Sequence, residues 1–335
     1  MKTLLKQLTE TFGPSGYEEN VRTLVYAEVK PLADEIKVDA LGNLIVRKRP
    51  SKVTKDTKKI MVAAHMDEIG LMASYIDEHG FVRFSSIGGV FGRYTPGGRV
   101  RFLNGVAGVI GHDRLEKMNE TPALDKMYID VGATSRKDCP VKVGDVAAFD
   151  RPFTEMGNRF AAKSMDDRVG VLVAIETLRA LRSTPHDVYF VFTTQEEVGL
   201  RGATTSAFGV DPDLGIAVDV TAAADTPNAP KMEMKLGAGP CIKFQDSGMI
   251  ADPRVVQWMI RTAEKNKLPY QREVLLFGST DARAMQLTRA GVPAGCLSIP
   301  TRYVHSPSEI VDFADVQNSV KLLTAMLRAK VDLGE

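Results

Sequence analysis

A short run of mostly β-branched and aromatic residues, residues 187–192, is the feature that most constrains the fold of this chain. Such a run is typical of a strand that is buried on both faces of a sheet. Glu196 and Glu197 follow where the strand should end, and Gly199 permits a sharp turn there. An isolated Glu-Glu pair most often lies in a solvated turn. Because open α/β sheets place their sites beyond the carboxyl ends of strands, these two glutamates are nevertheless candidate site residues.

Residues that commonly bind metals follow three other apolar runs, and one more opens a predicted helix. Residues 60–64 precede His65, residues 214–218 precede Asp219, residues 292–299 precede His305 by a few positions, and Asp166 opens the helix. A single histidine after a strand is more often a hydrogen-bonded structural residue, and a single aspartate is more often a helix cap. Five such coincidences at one edge of one sheet, Glu197 included, favour a metal site.

The ligand set combines imidazole with carboxylate and contains no thiolate. That combination suits zinc, cobalt, manganese or iron(II), and it excludes a cysteine-type structural zinc site. Five ligands exceed the number that one tetrahedral zinc ion uses, so the sequence predicts two ions that share one carboxylate. Asp67 lies two residues after His65 on an extended chain, so the two side chains point the same way. The Asp67 carboxylate is therefore expected to contact the His65 imidazole on the side away from the metal and to raise its basicity.

The wider pattern predicts an α/β fold, with a mixed sheet flanked by helices and an inserted small all-β domain. From about residue 69 to residue 160 glycines are frequent, short apolar runs alternate with charges, and no helical period appears. We therefore expect residues 1–68 and 161–335 to form the catalytic domain and residues 69–160 to form the insert. Helices are expected at about 2–12, 18–30, 202–208, 280–290 and 314–330, and from Asp166 and Asp252; a hairpin is expected at 36–38 and 44–46, and a further strand at 270–275.

Composition narrows the class of protein. The 335 residues carry a net charge of +1, which argues against nucleic acid as a partner because no basic surplus exists to neutralise phosphates. No apolar stretch approaches the ~20 residues that a membrane span needs, and no secretory leader is apparent, so a cytoplasmic location is expected. The remaining histidines lie among polar residues and are expected at the surface: His79, His112 and His186. Three well-separated cysteines are expected to be reduced thiols: Cys139, Cys241 and Cys296.

Six segments stand in an order that resembles a known family. They are 13–18 (GPSGYE), 64–70 (AHMDEIG), 166–168 (DDR), 194–199 (TQEEVG), 218–219 (VD) and 303–307 (YVHSP). Together they resemble the dinuclear aminopeptidases of the glutamyl and deblocking type, which form tetrahedral particles. The resemblance covers essentially the full length, and the ordered set is far more specific than any one segment. The segment Gly278-Ser279-Thr280-Asp281 carries a serine where the family commonly has glycine, so we assign it no role.

The resemblance implies a role for each site residue. One ion would be held by His65, Asp166 and Asp219, and the other by Asp166, Glu197 and His305, with Asp166 as the bridge. Glu196 would be the general base, and Asp67 would support His65. A cis peptide bond would join Asp166 to Asp167. Zinc is the expected metal, with cobalt or manganese as alternatives. Dimers would assemble into a dodecamer through contacts of the inserted domain.

The expected activity is removal of one N-terminal residue at a time from short peptides. Such hydrolysis needs a water made more nucleophilic by metal and a carboxylate to accept its proton. Three alternatives remain at this point. A metal-dependent amide hydrolase of acylated amino acids would differ only in substrate. A glycosidase could use the paired acids, but it has no need of the metal-type residues. A non-catalytic metal-stabilised scaffold would not need Glu196.

Overall fold

The computed structural model describes residues 1–115, 117 and 120–334. Residues 116, 118 and 119 of the predicted insert, and residue 335, lie outside the described residues. The strands, in chain order, are β1 (Glu35–Val38), β2 (Leu44–Lys48), β3 (Lys59–His65), β4 (Gly70–Ile76), β5 (Val82–Ile87), β6 (Arg99–Phe102), β7 (Ala107–His112), β8 (Met127–Asp130), β9 (Val146–Phe149), β10 (Thr154–Met156), β11 (Arg159–Ala162), β12 (Asp187–Thr193), β13 (Leu214–Ala222), β14 (Cys241–Gln245), β15 (Gln271–Val274), β16 (Ala294–Arg302) and β17 (Glu309–Asp312).

The helices surround the larger of two sheets. In chain order they are α1 (Lys2–Glu10), α2 (Glu19–Val29), α3 (Met165–Ala180), α4 (Arg201–Val210), α5 (Pro253–Lys265), α6 (Asp281–Gln286) and α7 (Phe313–Arg328), with 3-10 turns at Lys30–Leu32, Gly92–Tyr94 and Leu124–Lys126. Helix α3 packs on β3 and β13 and contacts α1, α2 and α7, whereas α4 and α6 pack together and contact β12 and β13. No helix in the described part of the chain is long and apolar enough to cross a membrane.

The larger sheet is mixed, with the strand order β1-β2-β12-β3-β13-β16-β17-β11-β10 and with β14 and β15 beside β16. Its centre, β12-β3-β13-β16, is parallel. These central strands are almost wholly buried, as the continuous apolar runs of the sequence predict. The register pairs Thr193 with His65, so β12 and β3 end at the same level.

The smaller sheet is a closed antiparallel barrel with the order β4-β5-β8-β7-β6-β9. It has its own apolar core, in which Phe102 and Phe149 are buried, separate from the core under the large sheet. Leu71 in β4 pairs with Ala147 in β9, so the first and last barrel strands are neighbours. Strands β10 and β11 follow the barrel and pair with each other, and β11 joins the large sheet beside β17. The assignment of residues 69–160 to a separate domain stays a prediction.

The structure confirms the predicted fold class and differs from the sequence-based elements in local details. Strand β13 does not end at Asp219, because its pairing with β16 continues to Ala222. The helix expected at residues 280–290 ends at Gln286. His186 is not a surface residue: it is buried, and its Nε2 donates a hydrogen bond of 2.9 Å to the carbonyl oxygen of Ala329.

Candidate active site

The candidate site lies where the pairing of β3 with β12 and with β13 ends. His65 is the last residue of β3, and Glu196 follows β12 by three residues. Pairing between β13 and β3 ends at Ala217, two residues before Asp219. The Asp219 side chain therefore faces the gap that opens between the strands, and its Oδ1 lies 3.9 Å from His65 Nε2. The sequence predicted that β13 ends at Asp219. Instead, β13 continues to Ala222, and Asp219 lies in the part of β13 that no longer pairs with β3.

Asp166 occupies the centre of the site, between two imidazoles. Its Oδ1 lies 3.0 Å from His65 Nε2, and its Oδ2 lies 3.3 Å from His305 Nε2. The same nitrogen of His305 is 3.2 Å from Glu197 Oε2. The five residues predicted as ligands are therefore brought together at one place. Each oxygen of the Asp166 carboxylate faces a different histidine, which is the arrangement that a bridging ligand requires.

Asp67 connects the His65 imidazole to the turn of the two glutamates. Its carboxylate oxygens accept hydrogen bonds from the backbone N–H groups of Glu196 at 3.0 Å and Glu197 at 3.1 Å. Its Oδ1 lies 3.4 Å from His65 Nδ1, whereas its carbonyl oxygen accepts a shorter hydrogen bond, 3.1 Å, from the same nitrogen. Because a carbonyl oxygen only accepts, Nδ1 carries a hydrogen, and Nε2 is the nitrogen that faces Asp166.

Glu309 positions two of the candidate ligands through their backbones, and sequence reasoning missed it. Its Oε2 accepts a hydrogen bond of 2.9 Å from Asp166 N, and its Oε1 accepts one of 2.7 Å from His305 N. Burial raises the pKa of the Glu309 carboxyl well above its usual value, and the nearby Asp166 carboxylate adds to this. The sequence signal was weak, because a glutamate four residues after a histidine also suits an exposed strand end.

Asp167 is a further buried carboxylate, and the sequence predicted no role for its side chain. The peptide bond between Asp166 and Asp167 is cis, as the family resemblance implied. Asp167 Oδ2 accepts a hydrogen bond of 3.3 Å from His65 N, and Oδ1 accepts one of 3.1 Å from Gly170 N. Both oxygens are therefore engaged with the backbone. Its role in the structure is to fix the end of β3 against the start of α3.

The segment that was left without a role contributes Asp281, which lies under the turn after β12. Thr193 Oγ1 donates a hydrogen bond of 2.5 Å to Asp281 Oδ2. Asp281 Oδ1 is buried and has no hydrogen-bond partner among the described residues. Burial raises the pKa of Asp281 to about 6. Asp281 thus anchors the carboxyl end of β12 from the first turn of α6.

A loop of the barrel completes one side of the site. His305 Nδ1 donates a hydrogen bond of 3.0 Å to the carbonyl oxygen of Gly89, which directs Nε2 towards the carboxylates. A Cβ at Gly89 would lie 2.5 Å from that Nδ1, so this close approach requires glycine. The Phe91 ring lies beside the imidazole, with 5.9 Å between ring centroids. The barrel therefore contributes directly to the geometry of the site.

Crowding of acids dominates the electrostatics. Burial raises the pKa of Glu196 and of Asp219 well above their usual values, and nearby carboxylates, including Asp219 beside Glu196, add to the effect. At His305 burial opposes the charged form, but Glu197 and Asp166 outweigh it and raise the pKa to about 12. Buried acids at such short separations repel one another, so a divalent cation among them would favour their charged forms.

The residues fit a divalent metal ion. Glu197 Oε1 is buried without a hydrogen-bond partner among the described residues, which is costly unless a cation occupies the space beside it. Two groups of residues each present atoms within 4.8 Å of one another: His65, Asp166 and Glu197, and His65, Asp167 and Asp219. The donors are imidazole nitrogens and carboxylate oxygens, as in known zinc, cobalt and manganese sites.

Comparison with known proteins identifies the family. The family model for M42 glutamyl aminopeptidase matches residues 42–322, and the chain belongs to that family of metal-dependent peptide hydrolases. The lysyl aminopeptidase of Pyrococcus furiosus is 39% identical over 339 residues, covering 97% of this chain and 96% of that protein. Aminopeptidase APDkam598 from the archaeon Desulfurococcus kamchatkensis matches with a TM-score of 0.94 and 43% identity, over 99% of this chain and 95% of that one. The TET1 peptidase of Pyrococcus horikoshii, which can assemble into a tetrahedron or a large octahedral shell, matches with a TM-score of 0.87 and 34% identity, over 97% and 98% of the two chains.

Proposed function

We propose that this chain is an aminopeptidase that removes N-terminal residues from short peptides, with two divalent metal ions per chain and Glu196 as general base. The observation that carries the proposal is the Asp166 carboxylate, whose two oxygens face His65 and His305. A single ion would need only one of these oxygens. Glu197 Oε1, which has no hydrogen-bond partner among the residues described, supports a cation on the His305 side of the bridge.

We propose the two ligand sets that the family resemblance implies. His65, Asp166 and Asp219 would hold one ion, and Asp166, Glu197 and His305 would hold the other. Bound ions at such a site lower the pKa of coordinated water towards ~7 and polarise the substrate carbonyl. Zinc suits these donors, and cobalt or manganese could replace it.

The proposed role of Glu196 is to move the proton. Its Oε2 lies 3.9 Å from His65 Nε2, and its backbone N–H donates a hydrogen bond to Asp67, so the side chain lies beside a proposed metal ligand. Glu196 would accept a proton from the attacking water and return it to the amine of the leaving peptide. A divalent cation held by the neighbouring ligands would favour the charged form of Glu196, which is the form that can accept this proton.

The assembly proposed is a dodecamer built from dimers. The support is the TET1 peptidase relative, together with a barrel that has its own apolar core and lies outside the large sheet. The barrel would supply contacts between subunits and also the loop that touches His305.

Substrate assays with metal removal and replacement test the proposed activity. We expect the chain to hydrolyse aminoacyl p-nitroanilides, to lose that activity after chelation and to regain it when zinc, cobalt or manganese is added. The matched N-acetylated anilides should be poor substrates, because an aminopeptidase requires a free N-terminus. Preference for the acetylated series would favour the amide hydrolase of acylated amino acids. Hydrolysis of a cellulose substrate that survives chelation would favour a glycosidase. Either result would contradict the proposal.

A further inference from the structure

The segment Gly13–Glu18 carries a sequence motif that the proposed function leaves without a role. It joins α1 to α2 and runs beside the residues that follow β3, where Pro14 forms a β-bridge with Glu68. Ser15 and Glu18 are buried although both are polar. Because buried polar groups need partners, the hydrogen bonds of these two side chains indicate what the segment does.

Glu18 holds the turn that leads to the two adjacent glutamates. Its Oε1 accepts hydrogen bonds from the backbone N–H of Gln195 at 3.1 Å and of Gly16 at 2.8 Å. Gln195 has a φ of 55°, in the left-handed region that residues with side chains rarely adopt. The Glu18 carboxylate therefore stabilises an unfavourable backbone conformation immediately before Glu196.

Ser15 holds the same turn through Asp67. Its Oγ donates a hydrogen bond of 2.6 Å to Asp67 Oδ2, the oxygen that also accepts from Glu197 N. Asp67 Oδ1 accepts from Glu196 N. Three consecutive backbone amides, at positions 195–197, are thus fixed by two carboxylates. One belongs to Glu18 in the segment, and the other belongs to Asp67, to which Ser15 of the segment is hydrogen-bonded.

The segment is itself held rigidly. The guanidinium of Arg168 is fully buried and donates hydrogen bonds to the carbonyl oxygens of Met66 at 2.7 Å, Leu8 at 2.6 Å and Thr11 at 3.0 Å. It thereby joins the residue after β3 to the last turn of α1 and to the residue that follows α1. A Cβ at Gly13 would lie 2.8 Å from Arg168 Nη2, so only glycine fits beside this guanidinium. A rigid support of this kind can fix the position of the residues bonded to it.

We infer that the segment Gly13–Glu18 positions the general base, with Glu18 and Ser15 as positioning residues. This inference rests on the proposed function, in which Glu196 is that base. A displacement of about 1 Å in a reacting group can reduce the rate by ~10²-fold, so a support that fixes the backbone of Glu196 affects turnover. Glu18 acts as a hydrogen-bond acceptor, because both of its partners are neutral backbone amides.

Three variants test the inference by two independent measurements. Glu18→Ala removes the acceptor, Glu18→Gln keeps an acceptor oxygen, and Glu19→Ala is the matched control at an exposed neighbour. Hydrogen–deuterium exchange in residues 193–199 should be about tenfold faster in Glu18→Ala than in the parent chain. Its kcat should fall by roughly 10–100-fold while KM changes by less than about twofold. Glu18→Gln should restore both measurements to near the parent values, and Glu19→Ala should leave both unchanged.

Unchanged exchange in Glu18→Ala would overturn the inference, and so would equal losses in Glu18→Ala and Glu18→Gln. If Glu18→Ala does not fold, Ser15→Ala tests the same support, and unchanged exchange in residues 193–199 would again count against it. The exchange measurement does not depend on activity. A parent chain without peptidase activity would therefore contradict the proposed function, whereas the exchange comparison would still test the positioning role.

Discussion

At the scale of single residues, Asp166 is the side chain on which both candidate metal positions depend. Asp166→Asn should therefore lower the affinity for both ions. Glu197→Gln should weaken only the ion on the His305 side, and excess metal should partly restore it. In each variant the metal affinity should fall by more than the ~10–100-fold that is typical when only a hydrogen-bond partner of a ligand is removed. Metal content after dialysis, measured by mass spectrometry, checks both variants.

Asp56→Asn at an exposed loop is the matched control, and it should bind metal as the parent chain does. An Asp166→Asn chain that still retains two ions would contradict the bridging role. Loss of both ions in Glu197→Gln would contradict the division into two ligand sets.

The candidate ligands could be predicted because each one stands at or near the end of a recognisable strand, or at the start of a recognisable helix, in the sequence. His65 and Glu197 come just after apolar strands, and strand ends meet at one edge of a sheet. Glu309 could not be predicted in the same way, since its function depends on contact with Asp166, 143 residues away. The role of Glu18 likewise depends on Gln195, 177 residues along the chain. Long-range hydrogen bonds of this kind leave no periodic signal in the sequence.

At the scale of elements, the apolar runs predicted the central strands, but they did not predict where neighbouring strands separate. Strand β13 continues past the end of its pairing with β3, and that separation opens the site beside Asp219. Strand β17 was not predicted, because its four residues Glu309–Asp312 are too few to show a clear pattern. Pairing partners rather than residue preferences determine the ends of such strands.

His186 connects two elements and should make stability depend on pH. Its Nε2 donates to Ala329 O, and its Nδ1 accepts a hydrogen bond of 3.4 Å from Lys58 N, so the buried ring is neutral. Burial lowers its pKa from the ordinary 6.5. As pH falls below 6.5, the unfolded chain binds a proton that the folded chain resists, so the free energy of unfolding decreases.

The His186→Gln variant keeps one donor and one acceptor but cannot be protonated. Its free energy of unfolding, measured by urea denaturation, should fall less between pH 7.5 and pH 5.5 than that of the parent chain. His79→Gln at an exposed position is the control, and its pH dependence should match that of the parent. If His186→Gln and the parent show the same pH dependence, His186 does not contribute to the pH dependence of the free energy of unfolding.

At the scale of the whole molecule, the barrel is the part whose removal should change assembly. Its first and last strands are paired, so a short glycine linker can replace residues 70–149. Strands β10 and β11 stay in place, because β11 pairs with the large sheet. We expect the shortened chain to be soluble and to form a smaller particle than the full chain, as measured by light scattering after gel filtration. A shortened chain with the full number of subunits would contradict the assembly role of the barrel.

Glu197 is proposed to bind metal and the adjacent Glu196 to move the proton, and the turnover of Glu196→Gln is the sharpest test of this difference. General acid–base catalysis contributes about 10²–10⁴-fold, or roughly 3–5 kcal/mol in the activation barrier. Glu196→Gln should keep two ions and a nearly unchanged KM, while kcat should fall by a factor in that range. A Glu196→Gln enzyme that retains more than about a tenth of the parent kcat would contradict the role of Glu196 as general base.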